Sequence, residues 1–194
     1  MKMTLTDKLR SIFSNLLNTI GKFLFRIGLK PDFVTILGVI GNCVAAFFIS
    51  RGDLRLGGLI VLFTGPLDAI DGTLARLQEN PKPFGALLDS VSDRLSEMAI
   101  MFGLFIFFLD HGNRVGSILT FFAVLGSVLV SYVRARAQSL GSDPKIGILT
   151  RVERYLVITL CLLFNQPVIG LWILAILTNF TALQRVWYAW KELN

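Results

Sequence analysis

From residue 31 onward the chain alternates long apolar stretches, at about 33–50, 54–75, 84–109, 115–137, 150–165 and 167–189, with short polar breaks. Most of these approach the roughly 20 residues that an apolar helix needs to cross the hydrocarbon layer of a membrane. The fifth is the shortest, because the tight turn Asn165-Gln166-Pro167 ends it early. The pattern predicts an all-α integral membrane protein with six transmembrane helices. Upstream of Pro31 the periodicity changes. Leu9, Ile12, Phe13, Leu16, Leu17, Ile20, Phe23, Leu24 and Ile27 recur at helical spacing among Lys2, Lys8, Arg10, Lys22, Arg26 and Lys30. That is the pattern of a basic amphipathic helix lying in the interface with its apolar face in the acyl chains. It lacks the uninterrupted apolar run of a signal peptide. The expected organisation is therefore a juxtamembrane helix at 1–30 and a six-helix domain at 31–194, with no internal repeat.

Composition sharpens the class. Of the 194 residues, 54% are hydrophobic and 16% charged, and the mean hydropathy is +0.66. A soluble domain needs far more polar surface, so a cytosolic enzyme, a disordered chain and a disulfide-stapled scaffold are all excluded. Cys43 and Cys161 sit apart in apolar runs with no ligand spacing and are expected to be buried in the membrane. His111, the only histidine, follows Asp110 in a polar break and reads as a loop residue. The net charge of +6 does not indicate nucleic acid, because the basic residues fall at segment ends. All 19 lysines and arginines except Arg51, Arg55, Arg114 and Arg94 lie towards the termini or in and beside the breaks after the second and fourth segments. By the positive-inside rule those parts face the cytoplasm.

Several charges break the pattern. Asp68, Asp71, Asp89, Asp93, Arg94 and Glu97 lie in or beside the second and third apolar stretches. Charges placed in lipid cost several kcal/mol each, so these must face a protein interior or a wet cavity. Asp68, Asp71, Gly72, Ala75 and Arg76 share one helical face, as do Gly85, Asp89 and Asp93. A turn around Asn80-Pro81-Lys82-Pro83 would fold the two helices into a hairpin and bring the acidic faces together. Four converging carboxylates repel one another unless cations hold them, and hard oxygen donors of this number suit a pair of Mg²⁺ or Mn²⁺ ions. Such a pair can grip a diphosphate and stabilise its leaving phosphate. Gly72 would let a ligand approach the backbone closely, and Arg76 offers a planar phosphate donor. The competing reading is an ion or solute transporter with an intramembrane carboxylate relay. A relay has no need of glycines and an arginine at set distances from the acids.

The string Asp68-x2-Asp71-Gly72-x2-Ala75-Arg76-x8-Gly85-x3-Asp89-x3-Asp93 resembles the complete signature of the CDP-alcohol phosphotransferase family, in every position and gap. That resemblance implies transfer of a phosphatidyl group from CDP-diacylglycerol, or a similar CDP-linked lipid, to an alcohol with release of CMP. It also implies that Asp68, Asp71 and Asp89 ligate two Mg²⁺ or Mn²⁺ ions, with Asp93 sharing the second ion and acting as general base. Gly72, Arg76 and Lys82 would contact the donor, Lys82 standing where relatives commonly have a small hydroxylated residue. The stretch Pro31-Asp32-Phe33-Val34-Thr35 resembles the family's entry to its first span, whose backbone lines the cytidine pocket. The family also implies a homodimer, and a multi-pass enzyme of the cell membrane with its active site on the cytoplasmic side.

The acceptor is read from arginines. Ser131-Tyr132-Val133-Arg134-Ala135-Arg136-Ala137, Arg151-Val152-Glu153-Arg154 and Gln184-Arg185 resemble the inositol-phosphate branch of the family. That resemblance implies that Arg134, Arg154 and Arg185 bind the phosphate of an inositol phosphate acceptor. Three guanidiniums around a dianion supply charge and geometry that an uncharged polyol would not require. Arg136, Lys145 and Arg151 are each explained by the positive-inside rule alone. The alternative acceptor is glycerol 3-phosphate, as in a phosphatidylglycerophosphate synthase.

Overall fold

The structure, a computed structural model, describes residues 5–78, 83–144 and 146–194, with side chains from Ser14 onward. It is all-helical. The described residues form α1 (Leu5–Arg26), α2 (Pro31–Ser50), α3 (Leu54–Leu77), α4 (Pro83–Asp110), α5 (Arg114–Ser139), α6 (Arg151–Leu163) and α7 (Pro167–Leu193). Local chemistry sets the boundaries. Pro31 and Pro167 open α2 and α7 in the first turn, where their missing N–H costs nothing. Asn113 caps α5 by accepting from the Gly116 amide at 2.9 Å. At the start of α6 the Glu153 carboxylate accepts the Thr150 amide proton at 2.5 Å, one half of a capping box. Asn165, at φ 57°, turns the chain from α6 into Pro167.

Helices α2, α3, α5 and α7 are long and apolar enough to cross a membrane. The third and fifth apolar stretches correspond to α4 and α6, which depart from that criterion for different reasons. α4 has 28 residues but carries Asp89, Asp93, Arg94 and Glu97. α6 has 13 residues, about 20 Å of helix, well short of the ~30 Å hydrocarbon layer. The side-chain distribution is that of a membrane protein: Phe63 is 75% exposed on the outer surface while Thr178 is 0% exposed inside. Cys43 lies on the outward side of the candidate span α2 rather than inside the protein core. His111 lies in the turn after α4, its Nδ1 2.8 Å from the Phe107 carbonyl.

The helices pack pairwise as α2–α3, α3–α6, α6–α7, α7–α5, α5–α4 and α4–α2, which closes them into a ring. Small residues make the closest approaches. Gly103 of α4 lies against the Ala46 backbone of α2, and Gly58 of α3 against Leu162 and Leu163 of α6. One apolar core fills the ring around Ile49, Val61, Met101, Leu104, Leu162 and Leu171. α1 lies outside the ring against α3 and α6. Its Leu17, Ile20 and Leu24 pack on Val34, Ile70 and Leu74. Phe23, on its other side, and Ile27, in the turn that follows, are exposed. Ring closure with alternating helix direction brings the starts of α2, α4 and α6 to the same end as the finishes of α3, α5 and α7. Every candidate site residue within the described segments lies at that end.

Candidate active site

Asp68 and Asp71 lie in the C-terminal half of α3, and Asp89 in the second turn of α4. One carboxylate oxygen from each lies within 4.8 Å of the others. Three hard anionic oxygens at this separation are a donor set suited to a divalent cation of the Mg²⁺ or Mn²⁺ type. Asp71 is the most enclosed, 4% exposed, and accepts a 2.6 Å hydrogen bond from Thr35 Oγ1. Asp93, one turn beyond Asp89, lies against Asp68. Arg151 ties them together, its Nη1 2.8 Å from Asp68 Oδ1 and its Nη2 2.5 Å from Asp93 Oδ1. The two acidic faces inferred from spacing do converge.

The glycines of the motif differ from the packing glycines. A Cβ placed on Gly72 would meet only the Arg76 guanidinium, at 3.8 Å, and one on Gly85 only Asp32 Oδ1, at 3.5 Å. Neither seats a neighbouring helix, so both leave the carboxylates approachable along the backbone. Arg76 lies over the Gly72 face and donates to Thr73 Oγ1 at 2.9 Å. Pro31 and Asp32 open α2 beside this face, whereas the Val34 side chain is committed to packing beneath α1. Phe33 is exposed. Of this stretch, then, backbone and the Asp32 carboxylate are what can line a pocket. Lys82 lies outside the described residues.

The three expected acceptor arginines come from three helices. Arg154, at 3% exposure, donates from Nε and Nη2 to the two oxygens of Glu97 at 2.7 and 2.8 Å. Arg185, at 5%, donates to the carbonyls of Ile146 at 2.9 Å and Val130 at 2.7 Å. Arg134 pairs through Nε with Asp143 at 3.3 Å. Arg134 and Arg154 both lie within Coulomb reach of Arg185, so three like charges are gathered in one region. Arg154 is held by one edge of its guanidinium, Arg185 through Nε and Nη1, and Arg134 through Nε alone, and each keeps at least one terminal nitrogen with no acceptor among the described residues. The α5–α6 connection is fastened to α7 beside them. Thr181 Oγ1 accepts from the Ile148 and Leu149 amides at 3.3 and 3.4 Å, and Ser142 donates to Glu192. Gly147, at φ 145°, passes Thr181 and Arg185 where a side chain would be both strained and crowded.

The sequence reading names three residues at this end but not the parts they play. Arg151, which the positive-inside rule alone would explain, enters the carboxylate cluster. Glu97 is the partner of Arg154, and Thr35 holds Asp71. Arg151 sits three residues before Arg154, hence on the same helical face, and that spacing was the available signal. Arg94 stays outside the cluster and donates to its own helix at the Ser90 carbonyl, 2.5 Å away.

Residues 29–184 match the CDP-alcohol phosphatidyltransferase family, and the chain belongs to it; it is a transferase embedded in a membrane. Similar proteins narrow the neighbourhood. The archaetidylinositol phosphate synthase of Pyrococcus horikoshii is 38% identical over 189 residues, 97% of this chain and 98% of that one. The phosphatidylinositol phosphate synthase of Mycobacterium tuberculosis is 32% identical over 194 residues, 94% of this chain and 89% of that one. A crystal structure of the Mycobacterium tuberculosis enzyme with CDP-DAG bound matches with a TM-score of 0.83 at 30% identity, over 91% of this chain and 94% of that one. Its structure with manganese and citrate gives 0.83 at 30% identity, over 90% and 88%.

Proposed function

We propose that the protein transfers the phosphatidyl group of CDP-diacylglycerol, or an equivalent CDP-linked lipid, to an inositol phosphate, forming phosphatidylinositol phosphate and CMP. The observation that carries this reading is the gathering of Arg134, Arg154 and Arg185, from three different helices, at the same end of the ring as the carboxylate cluster. A dianionic phosphate matches their spare donors, which a neutral polyol would leave without a charged acceptor. Relatives named for inositol phosphate chemistry along nearly the whole chain support the same reading.

In this reading Asp68, Asp71, Asp89 and Asp93 hold two Mg²⁺ or Mn²⁺ ions, which neutralise the donor's diphosphate and the departing CMP. Gly72 and the start of α2 at Pro31, Asp32, Phe33 and Val34 admit the nucleotide, and Arg76 and Lys82 take its phosphates. The acceptor hydroxyl is positioned by its own phosphate on the three arginines. Asp93 removes the hydroxyl proton, the oxygen forms a bond to the lipid-bearing phosphorus, and the bond from that phosphorus to the CMP oxygen breaks. The arrangement in the membrane follows from the same reading. Residues 31–194 form the catalytic domain, its six helices α2–α7 set in the cell membrane, with α6 too short to span the hydrocarbon layer unaided. Residues 1–30 lie in the interface, and both termini and the site face the cytoplasm. Two copies pair as a homodimer with one complete site in each.

The test is an acceptor panel. With CDP-diacylglycerol and Mg²⁺, purified protein is expected to release CMP with inositol 1-phosphate stereoisomers and not with free inositol or serine. Arg134→Ala, Arg154→Ala and Arg185→Ala should each weaken the acceptor by roughly 1.5–3 kcal/mol, about ten- to a hundred-fold in apparent KM, with little change for the donor. Turnover with glycerol 3-phosphate alone would overturn the acceptor while leaving the family intact. Solute movement in sealed vesicles without CMP would point to a transporter.

A further inference from the structure

α4 bears two carboxylates on one face: Asp93 and, four residues on, Glu97. α6 bears two guanidiniums spaced almost the same way, Arg151 and Arg154. They pair in register, Arg151 with Asp93 at 2.5 Å and Arg154 with Glu97 at 2.7 and 2.8 Å. α4 and α6 are not neighbours in the ring, so these pairs reach across its interior rather than lining a helix–helix seam. Glu97 is not one of the clustered carboxylates; Asp68, Asp71 and Asp89 are. The nearby cation Arg94 is turned to the Ser90 carbonyl, so Arg154 supplies the guanidinium that binds both Glu97 oxygens.

A bidentate carboxylate–guanidinium pair fixes the plane of the arginine as well as its position. In this pair it consumes Nε and Nη2, so the nitrogen left over, Nη1, can point in only one direction. We propose that Glu97 is a positioning residue for the acceptor: it fixes the reach of Arg154 toward the acceptor's phosphate, and α4 thereby sets the distance between that phosphate and the proton-accepting Asp93. Because Asp93 and Glu97 are one turn apart on a single rigid helix, about 6 Å along its axis, the two ends of the acceptor are gauged by one element. Acceptors whose hydroxyl and phosphate match that gauge are selected over shorter phosphorylated alcohols. The positioning role rests on inositol phosphate being the acceptor.

The experiment compares wild type, Glu97→Gln, Glu97→Asp, Arg154→Ala and the Glu97→Gln/Arg154→Ala double variant, following CMP release as inositol phosphate and donor lipid are varied separately. Glu97→Gln keeps the side-chain length but removes the charge that locks the guanidinium. It should raise the acceptor KM about tenfold or more and narrow the preference for inositol phosphate over glycerol 3-phosphate, with donor KM changed less than about twofold. Glu97→Asp keeps the charge but draws Arg154 back by one methylene. It should show the same split to a smaller degree, and it carries the test if the Gln variant does not fold. In the Arg154→Ala background Glu97→Gln should add less than about twofold to the acceptor KM, because its effect runs through the arginine. Parallel rises in both KM values, or additive effects in the double variant, would show a merely structural ion pair and overturn the proposal. A wild-type enzyme that ignores inositol phosphate would overturn the acceptor reading before any variant is compared, and the positioning role with it.

Discussion

Thr35 offers a test of the metal site that leaves every carboxylate in place. It stands one turn into α2, and its hydroxyl has a single proton with two acceptors in reach. They are the Pro31 carbonyl at 3.1 Å and Asp71 Oδ2 at 2.6 Å. The shorter, charge-assisted bond wins. Thr35→Val keeps the shape of the side chain and removes that bond, so Asp71, almost fully enclosed, loses the partner that orients one of its oxygens. A hydrogen bond to a charged group contributes about 1.5–3 kcal/mol, and loss of such a supporting contact commonly costs about 10–100-fold in metal affinity or activity. The expected outcome is a rise of about tenfold or more in the Mg²⁺ or Mn²⁺ concentration for half-maximal CMP release. Thr35→Ser, which restores a hydroxyl, should recover most of it. Thermal unfolding in detergent, followed in parallel, separates misfolding from the local effect. An unchanged metal dependence in a well-folded Thr35→Val variant would refute the role of Asp71 and its hydrogen bond in holding the metal.

Asp93→Asn should abolish CMP release while donor-lipid binding stays measurable, and chelation of divalent cations should silence the wild type; activity surviving either treatment would remove that step of the chemistry. Gly103→Ala would place a methyl group 2.5 Å from the Ala46 carbonyl oxygen and 2.9 Å from its Cα. Forcing α2 and α4 apart should destabilise the fold by about 1–3 kcal/mol, read as a lower unfolding temperature. Mixing Asp68→Asn with Arg154→Ala subunits should restore no activity, because the described site residues come from a single chain; recovery would reveal a shared site.

The sequence by itself determined the elements and much of the chemistry. Apolar runs of near-membrane length, punctuated by Pro31, the Asn165–Pro167 turn and charged breaks, mark helix positions to within a few residues, because lipid forces the backbone to satisfy its hydrogen bonds within each segment. Carboxylates at i, i+3 and i, i+4 spacing inside such segments had to face a protein interior or a wet cavity, since lipid does not tolerate them. Tertiary structure decided what spacing along one helix cannot encode: which helix lies across from which. Arg151 reads as a topological charge until ring closure sets α6 opposite α4 and carries it between Asp68 and Asp93. Glu97 reads as a stray acid until Arg154 meets it from another helix, and Thr35 as an ordinary helix residue until α2 lays it on Asp71. Helix periodicity fixes the face a residue occupies, but the partner of that face depends on how Gly58, Gly103 and the other small residues let the helices close, and that is a property of the assembled ring.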